Sequence, residues 1–445
     1  KDTVSDATGT ETFNLTKVGA KLIGTIGSPT SPTVATLTNQ ANSLTFNSTE
    51  IDIINGGSGS DIYTVYYSGA LTLNGGDGSD QYIFTGGAGD VTLDDTGKEH
   101  FKDKVIVQGT LLNDILTVYE GGVKFNTDRG NGVTFTQRAR FNGDSGIELF
   151  NVKLFGGDDT LYLAGVDAGL PVTIDLGLGN HRLYAGLEFN VADDERTVDA
   201  GGVPNCATEG AHIRECLNLI QDKATVNAGE GTDLIHATDI RDIYANSGSL
   251  EAYYGPKYGA IFGMNMSADG LLYTNFETLE FQLGSGNNNF TVVSTREVTT
   301  IWGGSGAETF TFKGTASLTL LNAGAGADTI LIENTGGATT IIAGTNGDSI
   351  TVQMTTGDTI LYGDDPDSPD QGSPDTITIN GTNGTTTLYG GIEADFIVIN
   401  LTGGMTTVNG EGGDDTVTIN NTGCTTLVNG DEGIDTFMIN GTGGT

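Results

Sequence analysis

The chain has 445 residues, with 57 acidic against 19 basic side chains, a formal charge of −38, 69 glycines and 8 prolines. A surface this acidic repels phosphate backbones and attracts cations, so nucleic acid is not an expected partner; no apolar run is long enough to span a bilayer. Glycine at this level without a Gly-X-Y period leaves either disorder or a repeat fold whose tight turns demand glycine, and the regular spacing of Ile, Val, Leu, Phe and Tyr selects the repeat.

The expected fold is therefore all-β: a right-handed parallel β-solenoid of about 20 residues per turn, with an irregular insertion near 192–223. Residues 1–50 read as an N-terminal strand or cap region, and the opening at Lys1 reads as that of a mature or truncated product. Residues 51–97 hold glycine- and aspartate-rich turns in which Asp61 and Asp80 close the same motif 19 residues apart. Residues 98–226 form a first irregular solenoid unit and 227–300 a second. "SGIELFNVKLFGGDDTLYLAG" from Ser145 resembles "TNFETLEFQLGSGNNNFTVVS" from Thr274, which marks the two as tandem units. Within the first, Ala192–Lys223 gathers charge and two cysteines and reads as an excursion from the solenoid wall, with a short helix over Ala207–Gln221.

Residues 301–445 are strictly periodic. The acid that closes each turn falls at Glu308, Asp328, Asp348, Asp375, Asp395, Asp415 and Asp435, always 20 residues apart except before Asp375, where "DDPDSPDQGSP" is inserted. Each turn holds two β-branched runs such as Thr416–Ile419 and Thr425–Val428. Alternation points Val417 and Ile419 into a narrow core. Leu388, Val408 and Val428 should stack as an apolar ladder, and Thr386, Thr406 and Thr426 as a polar one.

The closing segments "GGSGSD" at Asp61, "GGDGSD" at Asp80, "AGEGTD" at Asp233, "GGSGAE" at Glu308, "AGAGAD" at Asp328 and "GEGGDD" at Asp415 resemble the glycine-rich nonapeptide of RTX-type calcium-binding β-rolls and parallel β-helix repeat proteins. The resemblance implies Ca2+ held between successive loops by the motif carboxylate and backbone carbonyls, with Asp61, Asp80, Asp233, Glu308, Asp328, Asp348, Asp395, Asp415 and Asp435 as ligands. The loops of Asp348 and Asp395 lack glycine at the fourth motif position. Electrostatics points the same way: acids stacked at strand spacing repel by roughly 3.5 kcal/mol per neighbouring pair at an effective dielectric near 20, and a hard divalent cation relieves this. The competing reading is that each Asp only caps its turn by hydrogen bonds to backbone amides. The opposite corners, "NNTGC", "NLTGG" and "NGTNG", carry no Asp, which suggests one calcium ladder and a flattened cross-section.

Asn380, Asn400, Asn420 and Asn440 recur at the opposite corner in Asn-x-Thr sequons, and Asn14, Asn47, Asn265, Asn289 and Asn383 add more. They are candidates either for N-glycosylation or for an asparagine ladder joined by side-chain hydrogen bonds. Cys206 and Cys216 lie close enough for a disulfide in an oxidising compartment, the alternative being three free small residues; Cys424 is left over and is expected as a buried thiol.

His100, His181, His212 and His236 are scattered and basic residues are few, so a polysaccharide lyase or epimerase, the solenoid enzyme precedent, has little to work with; an enzyme is not expected. The expected function is that of a secreted, calcium-stabilised structural protein: a subunit of an extracellular filament, sheath, appendage or adhesive matrix at the cell surface. Its expected partners are further copies joined end to end or other matrix subunits, possibly with glycans. An extracellular glycan- or ice-binding adhesin segment is the alternative.

Overall fold

A computed structural model describes residues 60–65, 70–85, 89–95, 103–128, 134–141, 146–186, 216–253, 258–368 and 372–441. Before residue 60 it describes the strands Asp2–Val4, Glu11–Asn14, Leu22–Ile26, Ala35–Asn39, Asn42–Phe46 and Ile51–Ser58. The protein is an all-β solenoid: parallel strands in two long sheets recur along the chain, and the described residues add only a 3-10 turn at Leu217–Leu219. Of the helix expected over Ala207–Gln221 only 216–221 are described, and they form that 3-10 turn and a β-bridge at Ile220 rather than an α-helix; residues 192–215 lie outside the described set. No helix among the described residues is long and apolar enough to cross a membrane.

The chain falls into two compact units, Lys1–Asp194 with Leu217–Leu234 and Met266–Phe276, and Glu195–Cys216 with Ile235–Asn265 and Glu277–Thr445. In the first, one sheet runs in parallel through Ile62–Val65, Gln81–Phe84, Asp103–Gln108, Ile147–Lys153, Val172–Asp175, Ala224–Asn227 and Leu271–Thr274. Its other sheet stacks Ile51–Ser58, Ala70–Asp77 and Gly89–Leu93 before an antiparallel excursion through Asp114–Tyr119, Gly122–Asp128 and Thr134–Arg140. These added hairpins explain why the sequence period is irregular here.

The second unit is the regular one. From Asn289–Val292 onward each strand pairs in parallel with the strand 20 residues on, Thr309 with Thr329 and Thr329 with Ser349. The insertion before Asp375 is absorbed without loss of register, because Ser349–Val352 pairs directly with Thr376–Ile379. Strict alternation buries Ile330 and Ile332, Ile350 and Val352, Ile377 and Ile379, Ile397 and Ile399 in columns, faced from the other sheet by Leu321, Ile341, Leu361, Leu388 and Val408. Each such side chain contributes roughly 1.5–3 kcal/mol when fully removed from water, so the core is built from many thin identical layers. The threonine ladder lies inside as well: Thr386 and Thr406 are fully buried, and Thr359 and Thr386 donate through Oγ1 to Thr355 and Thr382 at 3.0 Å.

Candidate functional site

The acid closing each turn of the second unit is the last residue before a strand. There the backbone leaves the ladder of the sheet and its amide needs an acceptor. The side chain of the next turn supplies it. The Glu308 amide donates to Asp328 Oδ1 at 2.6 Å, Asp328 to Asp348 at 2.7 Å, Asp348 to Asp375 at 2.7 Å, Asp375 to Asp395 at 2.8 Å, Asp395 to Asp415 at 2.9 Å and Asp415 to Asp435 at 3.1 Å. A one-methylene carboxyl therefore reaches back one turn and caps the preceding corner. Asp328, Asp348, Asp375, Asp395 and Asp415 are at most 3% exposed, while Asp435 is half-buried.

The second oxygen is different. In Asp348, Asp375, Asp395 and Asp415, Oδ2 is buried and has no hydrogen-bond partner among the described residues. In the last three turns it lies against the glycine five positions earlier: a Cβ on Gly390, Gly410 or Gly430 would stand 2.0–2.4 Å from Oδ2 of Asp395, Asp415 or Asp435, and a Cβ on Gly363 would stand 2.3 Å from Oδ2 of Asp375. The same place before Asp328 and Asp348 is held by Ala323 and Ala343, so a small residue is kept there. The carboxyl thus keeps the first motif position small, glycine or alanine.

One turn reveals what that second atom faces. At Asn288 the ladder residue is an amide; its Oδ1 caps the Asn246 amide at 3.0 Å, as an aspartate would, while its Nδ2 donates to the carbonyls of Gly284 and Gly286 at 3.0 and 2.9 Å. The group beside Oδ1 therefore sits among loop carbonyls in this turn. An aspartate Oδ2 so placed has to carry a proton or sit beside a cation, because bare oxygens facing one another repel.

Burial pushes the carboxyls of Asp328, Asp348, Asp375 and Asp395 up to about 8, the capped amides pulling the other way and neighbouring ladder carboxylates adding to the rise. Glu308 is raised to about 7 by the same burial, and Asp415 is raised.

No protein-family model and no curated protein matches this chain. The site is read on its own chemistry.

In the first unit the pattern divides. Before strands of one sheet, the Asp61 amide donates to Asp80, Asp80 to Asp103 and Asp103 to Glu148, each at 2.6 Å. Before strands of the other, Asp114 donates to Asp159 Oδ1 at 2.8 Å, Asp159 to His181 Nδ1 at 3.2 Å and His181 to Asp233 Oδ1 at 2.6 Å. The expected single ladder is therefore two columns in this unit. His181 is fully buried; because Nδ1 accepts, its proton sits on Nε2, and burial lowers its pKa, keeping the ring neutral. Asp80 and Asp159 are raised to about 8 by burial. Sequence reasoning missed Asp103, Asp114, Glu148, Asp159, His181, Asn246 and Asn288 as members of these columns. Their spacings of 19 to 52 residues hide the stacking, and a search for acids passes over amides and imidazole.

At the opposite corner the asparagines form a hydrogen-bonded ladder: Asn400 Nδ2 donates to Asn380 Oδ1, Asn420 to Asn400 and Asn440 to Asn420, each at 2.7 Å. Among the other sequons, Asn265 donates to Asn246 Oδ1 at 2.6 Å, and Asn289 and Asn383 are exposed. Asn14 is placed only as strand backbone, and Asn47 lies outside the described residues. Cys216 is buried and disulfide-bonded, and Cys206 lies outside the described residues. Cys424, expected as a buried thiol, is free and exposed, because its corner turns outward beyond the buried Thr422.

Proposed function

We propose that this is a calcium-stabilised structural protein of the extracellular space, a repeating subunit of a filament, sheath, appendage or adhesive matrix whose partners are copies of itself or other matrix subunits. The observation that carries the reading is the column of buried carboxyl oxygens, one per turn, left without hydrogen bonds in Asp348, Asp375, Asp395 and Asp415. The donor set fits a hard cation, being made only of carboxylate and carbonyl oxygens. Asp328, Asp348, Asp375, Asp395 and Asp415, with the carbonyls of their loops, would hold Ca2+, which would supply the positive charge that lets these groups stay ionised at neutral pH. Their Oδ1 atoms cap the preceding corner, so an ion held at Oδ2 would couple its binding to the stacking of the turns.

The resemblance of the motif to RTX-type repeats supports the same reading, as does a core of identical thin layers whose stability depends on each layer being satisfied. The adhesin alternative rests on the outward threonines of the first sheet in the second unit. That array is broken at Leu331, Phe396 and Val398, so it offers no continuous binding face. Thermal unfolding of the metal-free chain with and without calcium tests the proposal. A rise in melting temperature with calcium is expected, and identical curves in excess chelator and in millimolar calcium would sink it.

A further inference from the structure

In the first unit a second kind of acidic site stands beside the ladder. One carboxylate oxygen from each of Asp80, Asp95 and Asp103 lies within 4.8 Å of the others. All three residues are buried, at 0%, 4% and 5% exposure. Asp95 follows the strand Gly89–Leu93 and belongs to no glycine motif; Asp103 opens the strand Asp103–Gln108.

The hydrogen bonds leave an opening. Asp95 is fixed at both oxygens, Oδ1 accepting from the Gly76 amide at 3.1 Å and Oδ2 from the Tyr82 hydroxyl at 2.7 Å. Tyr82 in turn accepts from the Gly75 amide at 2.7 Å, which commits its proton to Asp95. Oδ1 of Asp80 and Oδ1 of Asp103 cap the amides of Asp61 and Asp80. Asp80 Oδ2 is fully buried with no hydrogen bond, and it is turned toward the Tyr82–Asp95 pair: a Cβ placed on Gly75 would stand 2.2 Å from it and 2.7 Å from the Tyr82 hydroxyl oxygen. Among the described residues, the charges that act on Asp80 are those of Asp95, Asp61 and Asp103, and those that act on Asp103 are Asp95 and Glu148, all of the same sign. Three buried acids with all-oxygen donors, a tyrosine hydrogen-bonded to one of them and an unserved oxygen aimed among them make a pre-formed pocket of oxygen donors.

We propose that Asp80, Asp95 and Asp103 hold one hard divalent cation, Ca2+, at a site that shares Asp80 and Asp103 with the first unit's column and is completed by Asp95, which lies outside it. The proposal rests on the calcium reading above only for the class of ion. Asp95 is the discriminating residue, because it lies in no ladder.

The full-length, metal-free chain is titrated with Ca2+ by calorimetry and with Tb3+ by luminescence. Tyr82, hydrogen-bonded to Asp95 and stacked on Tyr63 at 5.3 Å, sits where it can pass excitation to the ion. Wild type is compared with Asp95→Asn, Asp103→Asn and the ladder variant Asp395→Asn. Both Asn substitutions in the triad keep an acceptor for the amides now served, and folding is checked by circular dichroism; Asp95→Asn decides the triad, with Asp95→Ser in its place if it misfolds, and Asp103→Asn reports the ligand shared with the column. The expected result is loss of one bound Ca2+ per chain, with a tenfold or greater fall in tyrosine-sensitised Tb3+ emission at the tight site, in Asp95→Asn or Asp103→Asn. If a folded triad variant keeps the wild-type stoichiometry while Asp395→Asn lowers it, the triad site is overturned and the ladder reading stands. If only the triad variants lose an ion, the triad stands and the ladder reading falls. No ion bound by any form overturns both.

Discussion

Replacing Asp348 separates the two roles that a ladder carboxyl plays. Its Oδ1 accepts the buried Asp328 amide at 2.7 Å, and its Oδ2 has no hydrogen bond. Asp348→Ala removes the acceptor from an amide that water does not reach, which costs about 1–3 kcal/mol. That corresponds to a local opening constant raised roughly 5- to 150-fold. Asp348→Asn keeps Oδ1 and places a donor where Asn288 already uses one toward Gly284 and Gly286. In chelator at neutral pH the Asn variant should therefore match or exceed wild type, whereas the Ala variant loosens the turns on either side. Solenoid turns open locally, so hydrogen exchange of peptides covering Thr329–Ile332 and Ser349–Val352 is the sensitive assay, rather than a single melting temperature. An Ala variant that exchanges like wild type would refute the capping role, and an Asn variant as damaged as Ala would refute the isosteric reading of Asn288.

The raised carboxyls fix the sign of the pH dependence in metal-free protein. Groups at about 8 when folded but near the ordinary 3.8 when unfolded stabilise the fold most below pH 4, and that stability is lost as pH rises through 8. Chemical unfolding of chelator-free, metal-stripped protein from pH 5 to 8 should therefore show falling stability, and a rise with pH would contradict the burial of these groups. Asn400 sits in the middle of the amide ladder, accepting from Asn420 and donating to Asn380, so Asn400→Ala should cost about 1 kcal/mol in denaturant unfolding; no change would make the ladder ornamental. In the native protein Cys424 should react with a thiol reagent while Cys216 stays silent, and protection of Cys424 would place it in a contact.

Much of this fold was legible in the sequence because its period is exact where its strands are exact. From Glu308 to Asp435 each acid and each inward apolar side chain repeats in register, as does the corner Asn from Asn380 on, and the structure stacks them as the spacing predicts. The hairpins of the first unit break that spacing, so the column through Asp114, Asp159 and His181 left no periodic trace. The acids of the glycine motif were visible, but what each oxygen does was not. That Oδ1 caps the previous turn follows only from the register, and the demand on Oδ2 becomes evident only from Asn288, a residue that a search for metal ligands discards. Asp95 was missed because its neighbours in sequence say nothing of Asp80 and Tyr82, which lie beside it in the fold.

The central claim is that the buried carboxyl column exchanges protons for calcium. Its most direct test is calcium addition to unbuffered, metal-free protein held at pH 7 by a pH-stat. Carboxyls near 8 are largely protonated there, so calcium should release protons in proportion to the ions bound and raise the melting temperature with the same midpoint. Calcium that releases no protons and leaves melting unchanged would contradict the account.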